Sequence, residues 1–115
     1  GQEYYVHHLL GQSYPDDRAM AVQEFRESIR LRPDYVLPYI DLARIFILEG
    51  DFEKALIYSQ KAVELKPDLP LGYILSIHSY FQTGNNSQAE EMLQKAQAMW
   101  PENPDLQSLR IYLKK

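Results

Sequence analysis

Apolar residues recur along the chain at three- and four-residue steps, and short polar segments interrupt them at regular places. Within residues 37–49, Tyr39, Leu42, Ala43 and Phe46 fall on one face of a helix. Gly50 follows as a left-handed residue that closes this helix, and Asp51 is placed to cap the next. Residues 53–66 form that second helix, with Ala55, Tyr58, Ser59, Ala62 and Leu65 on its inner face. Pro67 ends it, because proline lacks an amide hydrogen and disfavours helical geometry in the residue before it. The same roles return in a helix over 71–83, Gly84, an Asn85-Asn86 turn, and a capping box from Ser87 to Glu90. No segment alternates in the way a strand requires.

These roles return on a fixed interval of 34 residues. Ala21, Ala55 and Ala89 keep it, as do Pro33, Pro67 and Pro101. So do Leu31, Leu65 and Met99, the acids Asp34, Asp68 and Glu102, and the small residues Ser28, Ala62 and Ala96. Tyr39 with Tyr73, Phe46 with Tyr80, and Gly50 with Gly84 extend the match. Each unit is therefore a pair of antiparallel helices, and units on one interval stack. Ala55 and Ala89 are expected where two helices touch.

The pattern resembles the tetratricopeptide repeat family. The matching residues are Tyr39, Leu42-Ala43, Phe46, Gly50, Ala55, Ala62 and Pro67 in the middle unit. In the last unit they are Tyr73, Tyr80, Gly84, Ala89, Ala96 and Pro101. The resemblance implies an all-α, right-handed solenoid of three helix pairs plus a C-terminal capping helix. Its repeats span about 2–35, 36–69 and 70–103, with the capping helix at 104–115. In that helix Leu106, Leu109 and Leu113 share the side that covers the last pair. Two departures stand out. Ser76-Ile77 replaces the family's Leu-small pair, and Ser59 stands where Phe25 and Leu93 stand in their units. The first unit fits best with a shortened Pro15-Asp16-Asp17 turn before a helix over 18–31, so that His7, Leu10-Gly11 and Tyr14 match the first-helix pattern, whereas the gapless register puts Tyr5, His8, Leu9 and Gln12 there.

Composition narrows the function. A chain of 115 residues allows one domain, and 45% hydrophobic residues is too many for a disordered one. The formal charge of −4 argues against a nucleic-acid partner, which needs a concentrated basic surface. The absence of cysteine excludes disulfides and thiolate chemistry. No apolar run approaches the roughly 20 residues of a membrane span. The expectation is a soluble module with no membrane partner, with the cytoplasm favoured. Gly1 lacks a preceding Met and the chain stops after Lys114-Lys115, as in a piece excised from a longer protein. Arg26, Arg30 and Arg32, and the acids Glu90, Glu91, Glu102 and Asp105, read as solvated helix faces.

Catalysis has little to work with. His7 and His8 are adjacent and point about 100° apart on a helix, so they cannot share a metal as residues four apart can. No Gly-rich phosphate loop or nucleophile elbow occurs, and Asp16-Asp17 reads as a turn and cap. No enzyme, cofactor or metal is expected.

The working surface is instead expected on the second stripe of each first helix. In the middle unit this is Leu37, Ile40, Arg44 and Ile47, and in the last it is Leu71, Ile74, His78 and Phe81. In the first unit it is Tyr5, His8 and Gln12. By resemblance, these stripes line a concave groove that contacts peptides. The apolar residues among them are alternatively buried between successive units. Family members that clamp a terminal carboxylate use Lys and Asn. Here those places hold His8, Gln12, Ile40, Asp41, Arg44 and His78, with Asp41 partly neutralising Arg44. An apolar or amphipathic peptide segment is thus the expected partner. Two other classes compete: a homo-oligomeric scaffold using some of the nine tyrosines, and a targeting domain attached to a larger enzyme. Most tyrosines, Tyr35, Tyr39, Tyr58, Tyr73, Tyr80 and Tyr112 among them, are expected to pack at helix junctions with a wet hydroxyl.

Overall fold

Three pre-proline residues set the long turns of the molecule. Arg32, Lys66 and Trp100 precede Pro33, Pro67 and Pro101, and all three leave the helix with nearly the same backbone angles. Their φ values are −143°, −143° and −132°, and their ψ values 86°, 78° and 69°. The short turns use the other device. Gly50 and Gly84 adopt φ of +77° and +81°, where an L side chain would be strained.

The computed structural model describes residues 17–113. Among them lie six helices and no strand: α1 (Arg18–Leu31), α2 (Leu37–Leu48), α3 (Phe52–Leu65), α4 (Pro70–Gln82), α5 (Asn86–Met99) and α6 (Pro104–Leu113). The proposed first helix of the first unit, with His7, Leu10-Gly11 and Tyr14, lies outside the described residues. Among the described residues, α2–α3 and α4–α5 are complete pairs, and α1 precedes them.

Helix starts follow two chemistries. Asp17 accepts a hydrogen bond from the Met20 amide at 3.1 Å, and Asp51 accepts one from the Lys54 amide at 3.2 Å. Asn103 Oδ1 caps α6 by accepting from the amides of Asp105 and Leu106. Helices α2 and α4 have no side-chain cap and begin instead with Pro38 and Pro70, whose missing amide is harmless in the first turn. One expectation fails here. Ser87 does not cap α5, and no box with Glu90 forms. The Asn85 carbonyl already accepts from the Ala89 amide at 3.0 Å, so Asn85 is the cap residue and Ser87 lies inside the first turn.

Each helix packs on the next, and α2 also touches α4, as α4 touches α6. Three apolar clusters follow one another along the stack. Ala21 and Phe25 meet Leu42, Phe46 and Ala55 in the first, and Tyr39, Ile40 and Ala43 meet Ala62 and Leu75 in the second. The third joins Tyr73 and Ile77 to Ala89, Leu93, Ala96 and Leu106. Ala55 and Ala89 are fully buried, as the 34-residue interval requires of helix contacts. Leu106 is buried too, so α6 covers the last pair.

The two departures from the repeat pattern turn out to be partners. Ser76 of α4 donates a hydrogen bond to Ser59 Oγ of α3 at 2.8 Å, and Ser59 donates in turn to the Leu56 carbonyl of its own helix at 3.2 Å. Ile77 is accommodated in the core because the tight approach moves to the start of α4. There a Cβ on Gly72 would stand 3.1 Å from Val63 Cγ2 and 3.2 Å from the Val63 amide nitrogen. The junction tyrosines pack between helices, Tyr58 stacked on Phe46 and Tyr73 edge-on to Trp100, but the expected wet hydroxyl fails at Tyr39, which is buried and donates to the Pro33 carbonyl at 2.7 Å.

Candidate functional site

The interval of 34 residues does more than stack pairs. It places α2, α4 and α6 side by side in one register, with Pro70 and Pro104 as equivalent first residues. Four rows then cross the three helices. They are Leu37–Leu71–Asp105, Ile40–Ile74–Ser108, Arg44–His78–Tyr112, and Ile47–Phe81.

The rows differ in how far they reach solvent. Leu37 is 42% exposed and Arg44 is exposed, with no ion pair among the described residues. Ile47, Leu71, Ile74, His78 and Phe81 are half-buried, each with one side on the core and one side free. Ile40 is different. At 3% exposure it is a core residue, enclosed with Tyr39, Ala43, Ala62 and Leu75, so its side chain cannot line an open groove. Ile74 occupies the same register on α4 but stays half-open, at the edge of the third cluster rather than inside one. Tyr5, His8 and Gln12 lie outside the described residues.

His78 sits with its ring edge-on to Phe52 at 5.9 Å. Burial holds its imidazole below the usual histidine pKa, which favours the neutral ring. Phe81 meets Tyr112 edge-on at 5.3 Å, and Gln82 donates to the Tyr112 hydroxyl at 3.4 Å. Between α4 and α6 these contacts frame a cleft of about 380 Å³ lined by Ile74, His78, Asp105, Ser108, Leu109 and Tyr112. The three α6 residues Asp105, Ser108 and Tyr112 were not among the sequence-derived candidates. The signal for them was present: they continue the rows of Leu71, Ile74 and His78 by one more interval. A larger cleft of about 520 Å³ lies at the edge of the stack, between the α1–α2 and α3–α4 turns. There Arg32 and Asp34 neutralise each other at 2.6 Å, and only Leu37 belongs to the rows.

Chemically, the groove offers apolar contact and two separated charges. His78 meets the Phe52 ring edge-on, and it shares its cleft with the Asp105 carboxylate and the hydroxyls of Ser108 and Tyr112 without a hydrogen bond to any of them. Among the described residues no three His, Cys, Asp or Glu side chains gather as a metal site would require, and no helix is long and apolar enough to cross a membrane.

Known proteins place this architecture. The first TPR domain of Spaghetti (RPAP3), bound to an HSP90 peptide, superposes with a TM-score of 0.89 at 15% identity, over 98% of this chain and 91% of that one. The TPR2B domain of yeast Sti1 in complex with an Hsp70 peptide gives 0.81 at 23% identity, over 96% and 90%. MamA gives 0.80 at 21% identity over 85% of this chain, which spans 55% of the MamA chain. At these identities the likeness is one of fold. No curated protein sequence matches the chain. A sequence model of the tetratricopeptide repeat matches residues 48–110, more than half of the chain, from the end of α2 through most of α6. The chain belongs to the tetratricopeptide repeat family.

Proposed function

We propose that the chain is a non-catalytic protein-interaction module that binds an apolar or amphipathic peptide segment along the groove of α2, α4 and α6. One observation carries the reading. Helix α4 contains no Asp, Glu, Lys or Arg, yet its Leu71, Ile74, His78 and Phe81 row remains half-open to solvent. Most of α4 is core, packed on α2, α3, α5 and α6, and its one half-open row is equally free of charge, as a contact face for another chain would be. The structural neighbours from RPAP3 and Sti1 hold chaperone peptides, which supports a peptide as the type of ligand for this fold. Leu37, Ile47, Leu71, Ile74 and Phe81 supply apolar contact, Arg44 meets an acid or carbonyl of the ligand, and Ile40 supports the groove from beneath.

The test is capture of protein partners by wild type and by folded Phe81→Ala, Ile74→Asp and Arg44→Glu variants. Loss of partners in these variants, with retention in Arg26→Glu on the far side of α1, is the expected outcome. A well-packed aromatic anchor is typically worth about 2 kcal/mol or more on truncation. Retention by all three groove variants with loss in Arg26→Glu would assign binding to the other face. A second reading, self-association, draws on Leu48 and Ile57, which are 68% and 65% exposed and lie off the groove rows. A mass that rises with concentration and falls on Ile57→Lys substitution would favour it.

A further inference from the structure

We propose that the cleft between α4 and α6 is a subsite for a basic side chain, a lysine or arginine of the peptide occupying the groove. The proposal rests on the groove reading above and specifies the chemistry of one position in the ligand.

The charge inventory of the two helices is short. Helix α4 has no charged residue, and α6 has Asp105 and Arg110 among its described positions. Arg110 is turned away to α5, where it pairs with Glu90 and donates to Gln97 Oε1 at 2.9 and 3.1 Å. It therefore leaves Asp105 uncompensated. The Asp105 carboxylate is exposed at the mouth of the cleft and forms no ion pair among the described residues. The rest of the lining matches a long cationic side chain. Ile74 and Leu109 form an apolar wall for its methylene stem. Tyr112, 47% exposed, offers a ring to the cation, and the exposed Ser108 hydroxyl an acceptor. An acidic side chain in the same place would meet Asp105 in a lining that holds no lysine or arginine among the described residues, and like charges across an interface are disfavoured.

The position also orients the ligand. Arg44 lies two helices away on α2, so the groove is positive at one end and negative at the other. Packed helices sit about 8–10 Å apart. Two such steps span about 16–20 Å sideways, and Arg44 and Asp105 are offset by about 10 Å along the helix axes, a separation of about 20 Å or about six residues of extended peptide. The ligand's basic residue is thus expected about six positions from the acid that meets Arg44.

A phage library of random dodecapeptides selected against the full chain supplies the probe, and fluorescence anisotropy with the selected synthetic peptides supplies the affinities. Selected peptides are expected to share a Lys or Arg, and Asp105→Asn is expected to weaken them about tenfold, as loss of a charge-assisted contact does. Replacing that Lys or Arg by Leu should cost at least as much on wild type and clearly less on Asp105→Asn, where the ion pair is already gone. Asn103 caps α6 independently, so the variant retains the helix start. If selected peptides share no basic residue, or bind Asp105→Asn as tightly as wild type while Phe81→Ala abolishes binding, the subsite is wrong and the groove stands. If no peptide is selected, or Phe81→Ala and Ile74→Asp leave binding intact, the groove reading falls and takes the subsite with it.

Discussion

Ser59 and Ser76 stand 17 residues apart on different helices and share one hydrogen bond in a fully buried setting. Each looks in the sequence like an isolated departure from its column, and nothing in the spacing pairs them. The pairing is a property of how α3 meets α4, which is why it was not legible. Removing one hydroxyl leaves the other buried with less to bond, a loss of about 1–3 kcal/mol. Ser59→Ala and Ser76→Ala should therefore each destabilise the fold, and the double variant should cost less than their sum by about 1 kcal/mol. Strict additivity in denaturant melts would show that the two hydroxyls do not interact. His78 gives a second test at this scale. Its folded pKa lies below the ordinary 6.5 because burial penalises the charged ring. The unfolded chain therefore takes up a proton first as pH falls, so stability declines from about pH 6.5 downward through the folded pKa. Above that window the group contributes nothing. His78→Gln should flatten the fall in stability between about pH 7 and pH 5. Identical slopes in the two proteins would contradict the assignment.

At the scale of the elements, the helices and turns were largely readable, because each boundary has a local cause. Gly50 and Gly84 need positive φ, and Pro33, Pro67 and Pro101 expel the residue before them from the helix. Ser87 was misread since a serine three residues before a glutamate is a good local cap signal. The register of Asp51 one interval earlier pointed to Asn85 instead. Glu90, released from that box, pairs with Arg110 of α6. That pair and the buried Leu106 fasten α6 to α5. Leu106→Ala should cost about 2–5 kcal/mol, the range for emptying a buried leucine site. Removal of residues 104–115 should go further and cause fraying or aggregation of the last pair. A shortened chain with unchanged melting temperature and mass would show that α6 is a tail.

For the whole molecule, the interval of 34 residues explains both the stack and the alignment of α2, α4 and α6. It could not reveal which members of a row stay open. Ile40 and Ile74 hold the same place in the interval, and only the packing separates them: Ile40 is buried inside its cluster and Ile74 sits half-open at the edge of the next. In the sequence Asp105 looks like a solvated acid and Tyr112 like a junction tyrosine, and only the alignment of α6 beside α4 brings them, with Ser108, into the rows. The charge-poor face of α4, flanked by Arg44 and Asp105, is the feature on which the functional account depends. The most direct test is a two-dimensional ¹H–¹⁵N titration of the labelled chain with a peptide selected from the random library. The account predicts amide shifts concentrated at Arg44, Ile47, Leu71, Ile74, His78, Phe81 and Asp105, with α3 and α5 largely still. Shifts centred on the outer faces of α3 and α5, with these positions unmoved, would contradict it.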